Sequence, residues 1–195
     1  MTMRAQAHTL EGFAAAIILL SGVLFALQAT AVTPLTASTS NQHIENQQAA
    51  VAEGTLAAAE ANGTLTPTLL YWNTSGDRFI GSGSDGTYAG GGPPTRFGAA
   101  LNRTFAADRI AFNVEVSYRT AGGRGRTRMV YMGSPSDNAV AATRTVVLFD
   151  DDPVGDGSGT LADVADDPDR EFYADDTDGG PLYGVMEVRI VVWRI

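Results

Sequence analysis

The chain has 195 residues and a formal charge of −9, and that acidity argues against a nucleic-acid partner, which demands a basic surface to displace counterions from phosphates. It contains no cysteine, so disulfides, thiolate nucleophiles and sulfur-ligated metal sites are excluded. Without its opening apolar stretch it retains about 150 residues, the size of one ordinary domain.

The chain opens with Arg4-Ala5-Gln6-Ala7-His8-Thr9-Leu10-Glu11, and from Gly12 to Val32 it reads GFAAAIILLSGVLFALQATAV. About 20 apolar residues at a rise of 1.5 Å cover a hydrocarbon core of about 30 Å, so a transmembrane helix is expected over residues 7–33. Ser21, Gln28 and Thr30 are its clearly polar members. Arg4 and the amino terminus precede the span and no basic residue follows it closely, which orients the amino terminus inside. Three N-glycosylation acceptors, Asn62-Gly-Thr, Asn73-Thr-Ser and Asn102-Arg-Thr, place the bulk of the chain outside, as an extracellular glycoprotein domain.

The stretch Arg4 to Glu11, followed at once by the apolar helix, resembles the processing region of archaeal type IV pilin-like proteins. The resemblance covers mainly the first third of the chain. It implies a short leader, residues 1–6, cut by a prepilin peptidase, and other pilin-like subunits as partners. A cut after Gln6 makes Ala7 the first mature residue and Glu11 the fifth; a cut after Ala5 makes Glu11 the sixth. The resemblance further implies that Glu11 faces the amino terminus of an adjoining subunit, a sensible pairing because an unpaired carboxylate in lipid is expensive. Two other readings stay open. Ala29-Thr30-Ala31 fits a signal-peptidase site that would release a chain starting at Val32. Alternatively the anchor is uncut and Glu11 complements the positive end of the helix dipole, worth about 0.3–1 kcal/mol. All thirteen basic residues are arginine and aspartate dominates the acids, a pattern that resembles the proteomes of salt-loving archaea. A GC-rich genome gives the same bias.

Pro34 is expected to break or kink the helix. A second, stalk helix is expected over 36–63, with Thr39 and Gln42 as a capping box. Ile44, Val51 and Ala58 recur at heptad spacing, with Gln48 and Thr55 on the adjoining row, which makes a narrow stripe to pack on the domain or a neighbour. Asn62-Gly63 is the stop signal. LLYWN then reads as a short strand, and GDRFIGSGSDGTYAGGGPP as a long loop or a pair of weak strands. GSGSDG lacks the Gly-Lys-Ser/Thr of a phosphate-binding loop. In TRFGAALNRTFAAD, Phe97, Leu101 and Phe105 mark one apolar face of a short helix.

The clearest strand is RIAFNVEVSYRT, where Ile110, Phe112, Val114, Val116 and Tyr118 alternate with a polar face. AGGRGR turns it into TRMVYMG as a hairpin partner. TRTVVLF and the terminal YGVMEVRIVVWRI follow, the latter with Met186, Val188, Ile190 and Val192 as an apolar row. Helix first and antiparallel sheet later is an α+β pattern with a β-rich head over 64–195. A separate β-sandwich on a stalk shares this layout.

Between Asp150 and Asp178 lie eleven aspartates and one glutamate against Arg170. Asp150, Asp152 and Asp156 are the calcium candidates, but Val154 occupies a ligand position of the EF-hand pattern and no glutamate closes the loop. The segment therefore reads as a solvated loop, and no metal or cofactor is assigned. From Arg96 to Arg144 eight arginines face Asp108, Glu115 and Asp137, a basic patch that meets the acidic segment within the fold or steers neighbouring subunits. His8 and His43 are the only histidines, and no nucleophile is placed beside either, so no catalytic residue is expected. The sequence thus reads as a non-enzymatic, membrane-anchored, pilin-like subunit of the cell surface. A membrane-tethered adhesion or binding module that never polymerises is the alternative.

Overall fold

The computed structural model describes the backbone of residues 2–177 and 179–195, and among these the side chains of 10–27, 42–177 and 179–195. Two compact units divide between Ile44 and Glu45. Helix α1 runs from Thr2 to Ala61, so both segments expected as helices belong to one element. In the first unit, Leu10–Leu27 is long and apolar enough to cross a membrane, and none of it is buried. α1 continues through Pro34 without the expected break. Proline removes one backbone bond and crowds the preceding turn, but long stretches rich in Ala, Leu, Gln and Glu on both sides favour helix. With no helix start at Thr39, the expected capping box has no free N–H groups to satisfy.

The second unit is α+β. Helix α1 ends in a Schellman turn: Gly63 takes φ 61°, its N–H donates to Glu60 O at 2.9 Å, and Thr64 N–H donates to Ala59 O at 2.9 Å. Glycine at that position is the ordinary way to reach the left-handed region. Short helix α2 (Leu65–Leu69) follows. The first residue of the expected LLYWN strand, Leu69, thereby ends the helix and Leu70 caps it, and only Trp72–Asn73 forms β1, paired with β2 (Arg78–Phe79). Helix α3 (Arg96–Thr104) forms where its apolar spacing predicts, with the Thr95 side chain accepting from Gly98 N–H. Phe97, Leu101 and Phe105 are all buried. A single 3-10 turn (Ala106–Asp108) leads to the sheet.

Strands β3 (Ile110–Thr120), β4 (Gly123–Tyr131), β5 (Val140–Phe149) and β6 (Leu182–Arg194) form one antiparallel sheet in the order β4-β3-β6-β5. One four-stranded sheet and a two-stranded ribbon replace the sandwich alternative. The alternation in β3 and β6 sets the face: Phe112, Val114 and Val116 sit with Met186, Val188, Ile190 and Val192 in the core. The opposite face of β3 is less polar than alternation predicts, since Ala111 and Asn113 are buried too. Asn113 is satisfied there, accepting from Met132 N–H at 2.8 Å and donating to Gly133 O at 2.9 Å.

The end of α1 packs on this core through Gln48, Ala52, Leu56 and Ala59, a stripe of i, i+4, i+8, i+11 spacing. Of the expected row, Val51 and Ala58 are exposed and Ile44 is half-buried. An aromatic cluster closes one end, with ring centroids of Trp72 at 5.0 Å from Phe79 and 5.1 Å from Tyr173. Edge-on contacts of this kind add to plain burial.

Candidate functional site

The expected processing residues Ala5, Gln6 and Ala7 lie on the helical backbone of α1, and their side chains fall outside the described residues. Glu11 is exposed and is the one charged residue within Leu10–Leu27. Because α1 begins at Thr2 and has no acidic residue in its first turn, Glu11 does not complement the helix dipole, whose influence fades within that turn.

The three sequons differ in setting. Asn62 is exposed just beyond the end of α1, while the Thr64 hydroxyl donates to Ala59 O at 3.1 Å. Asn73 is half-buried and its Oδ1 accepts from Gly76 N–H at 2.8 Å in the β1–β2 turn. Asn102 is exposed on α3, with Oδ1 accepting from Gly92 N–H at 2.8 Å.

The acidic segment is more structured than a solvated loop. Val154, Leu161, Val164, Phe172, Tyr173 and Ala174 all enter the core, and the carboxylates between them stitch turns. Asp152 Oδ2 accepts from Phe149 N–H at 2.8 Å. Asp156 Oδ2 accepts from Thr74 N–H at 2.7 Å and from its hydroxyl at 2.8 Å, while Oδ1 accepts from Ser158 N–H at 2.9 Å. Partial burial works against its charge, but the bonds from Ser158 and Thr74 win and hold its pKa down to about 2. Asp163 closes a capping box with Thr160 at the start of α4 (Leu161–Ala165). These bonds depress the Asp163 pKa, backbone N–H of Thr160 first and its hydroxyl second. Asp150 sits in the turn after β5, its N–H donating to Pro181 O at 3.2 Å, and Asp178 lies outside the described residues. Among the described residues no group of three His, Asp or Glu is arranged to hold a metal ion.

The basic patch resolves into a ladder. Arg124, Arg126 and Arg128 take alternate positions on edge strand β4 and are exposed. Arg126 and Arg128 lie 3.6 and 3.9 Å from Glu115, and Arg124 lies 3.6 Å from Glu187. Arg144 instead reaches α1, its Nε donating to Glu60 at 2.6 Å.

Sequence reasoning missed a cleft of about 710 Å³ beside β4. Tyr118 and Tyr131 contribute half-exposed rings, Asp77 and Asp85 carboxylates, and Arg126 and Arg128 guanidiniums. These residues come from β3, β4, the β1–β2 turn and the β2–α3 connection, so no contiguous motif announces them. The weak signal in the sequence was the pair of aspartates inside the glycine-rich stretch.

The sequence matches a family of unknown function (DUF7288) over residues 4–192. No curated protein and no solved structure matches the chain.

Proposed function

The chain belongs to DUF7288, a family of unknown function whose match takes in both the apolar segment and the β-rich unit, and we propose that it is a membrane-anchored, pilin-like structural subunit of the cell surface. The observation that carries this reading is Leu10–Leu27: 18 consecutive helical residues of apolar character with no part buried in the protein's own core. Side chains such as Phe13, Ile18, Leu20 and Phe25 are exposed, and water is a poor surrounding for such a surface. In this reading lipid and neighbouring apolar helices supply the burial, the amino terminus is inside, and the unit that begins at Glu45 faces the exterior. Glu11 then pairs with the amino terminus of an adjoining subunit. The halophilic and archaeal setting rests on composition and on the resemblance of residues 4–11.

Mass spectrometry of the mature amino terminus in the native host tests it. A start at Gln6 or Ala7 is expected, and a start at Val32 would remove both filament and anchor. A second reading, the membrane-tethered binding module that does not polymerise, is favoured by the cleft beside β4. Its signature is an intact leader and a monomer in the membrane.

A further inference from the structure

We propose that the groove between α1 and α3 is where a second copy of this chain docks, helix against helix, with residues 45–61 of its α1 as the occupant. The groove measures about 720 Å³, with Val51, Gly54 and Ala58 on one wall and Arg96, Ala99 and Arg103 on the other. The inference rests on reading the chain as a laterally assembling subunit. Its walls carry features that one chain alone does not use. Val51 and Ala58 stand seven residues apart and are exposed, and a seven-residue step is what lets one helix follow another along its length. Gly54 lies between them inside the helix, where glycine disfavours the helical state about fivefold against alanine. A Cβ added there meets nothing within 4 Å, so no contact inside the chain asks for glycine. A bare backbone does let a second helix approach closely. Thr55 turns its hydroxyl back to donate to Val51 O at 2.8 Å, which takes its polar atom out of the contact surface.

Charge identifies the occupant. No ion pair among the described residues uses Arg96, Arg103 or Glu53, and all three are exposed. Arg96 occupies the first position of α3, where the helix dipole disfavours a cation and an anionic partner would offset it. Residues 45–61 carry Glu45, Glu53 and Glu60 and no basic residue. Glu60 is taken by Arg144 of its own chain, whereas Glu53 adjoins Gly54, so a partner helix crossing at Gly54 brings its Glu53 towards the arginines of α3. Two chains anchored in one membrane run parallel, and two-fold pairing then sets the same rows face to face. The sequon at Asn62 lies about 12 Å further along the helix axis than Gly54, which leaves the crossing open.

The chain lacks cysteine, so single cysteines report the contact cleanly. Full-length Ala58→Cys, Val147→Cys and Ser21→Cys chains are reconstituted in phosphatidylcholine vesicles and oxidised with copper phenanthroline, and dimers are read on non-reducing gels. Ala58→Cys should cross-link at least about tenfold faster than Val147→Cys on the exposed sheet face, and adding either Gly54→Leu or the pair Arg96→Glu and Arg103→Glu should slow it about tenfold. Adding Glu53→Arg to the double arginine variant should restore the rate. Gly54→Leu has room within one chain, so its circular dichroism should match wild type. Equal rates at Ala58 and Val147, or no response to Gly54→Leu, would overturn the proposal. Loss of cross-linking on adding anionic phosphatidylglycerol would also overturn it, by giving the groove to a lipid headgroup. Ser21→Cys, within the span, separates the failures: cross-linking there but not at Ala58 means that subunits assemble through another surface, and none at either site removes lateral assembly itself.

Discussion

Asp156 reaches Thr74 across 82 positions of sequence, joining the turn after β1 to the segment that follows β5 through two bonds to one oxygen. Asparagine in its place keeps one acceptor but puts an amide donor where the second carboxylate oxygen receives Ser158 N–H. A folded pKa of about 2 against an ordinary 3.8 means the charged form favours the fold. Its stabilising effect is full above about pH 4 and is lost as pH falls toward 2. Solvent screening at this exposed site leaves about 1 kcal/mol of it. Asp156→Asn should therefore lower the urea midpoint at pH 7, read by tryptophan fluorescence, and the gap from wild type should shrink as pH drops from about 4 to about 2. Equal gaps at both ends of that range would contradict the assignment. None of this was legible in the sequence, where eleven aspartates in one segment look alike and only the partner Thr74 singles one out.

At the scale of elements, legibility followed the strength of the pattern. β3 and β6 alternate large branched and aromatic residues with polar ones, so a period of two was readable and the buried faces of both strands follow it. The end of α1 is rich in alanine, so Ile44, Val51 and Ala58 stood out only by their heptad spacing. The helix turns instead to bury Gln48, Ala52, Leu56 and Ala59, because three- and four-residue steps track a straight helix better than sevens. Leu56→Ala should cost about 2–4 kcal/mol, and Val51→Ala, at an exposed site, less than about 0.5 kcal/mol. Thermal melts of the two variants decide between the two stripes: a larger loss at Val51 would restore the heptad row. Gly98 gives a second contrast. Alanine is a better helix former by about 1 kcal/mol, but a Cβ here would fall 1.9 Å from Pro93 O. Displacing that backbone costs more than the helix gains, so Gly98→Ala should destabilise by about 2 kcal/mol or more. A melting temperature at or above wild type would contradict so close an approach of Gly92-Pro93 to α3.

At the scale of the whole molecule, the division at Ile44 and Glu45 separates two kinds of burial. Among the described residues the buried apolar side chains come from Ala52 onward, whereas those of Leu10–Leu27 are exposed. The sequence placed boundaries at Pro34 and after Gly63 because proline and glycine are strong local signals, but compactness is decided by where side chains find partners. Folding of the β-rich unit and membrane retention should accordingly be separable by mutation. Replacing Ile18 and Leu19 by arginine puts two charges at the centre of the span, at about 2.5–3.5 kcal/mol each on an insertion scale, enough to offset many apolar residues at about 0.3–0.6 kcal/mol each. The double variant should leave the membrane pellet on carbonate extraction, while its tryptophan-monitored melt stays within about 2 °C of wild type. That readout suits the question because Trp72 and Trp193, the two tryptophans of the chain, both lie beyond Glu45. Retention of the variant in the pellet would mean that something other than the span holds the protein at the membrane. A collapsed melt would mean that the first unit supports the second, against the separation seen in the core.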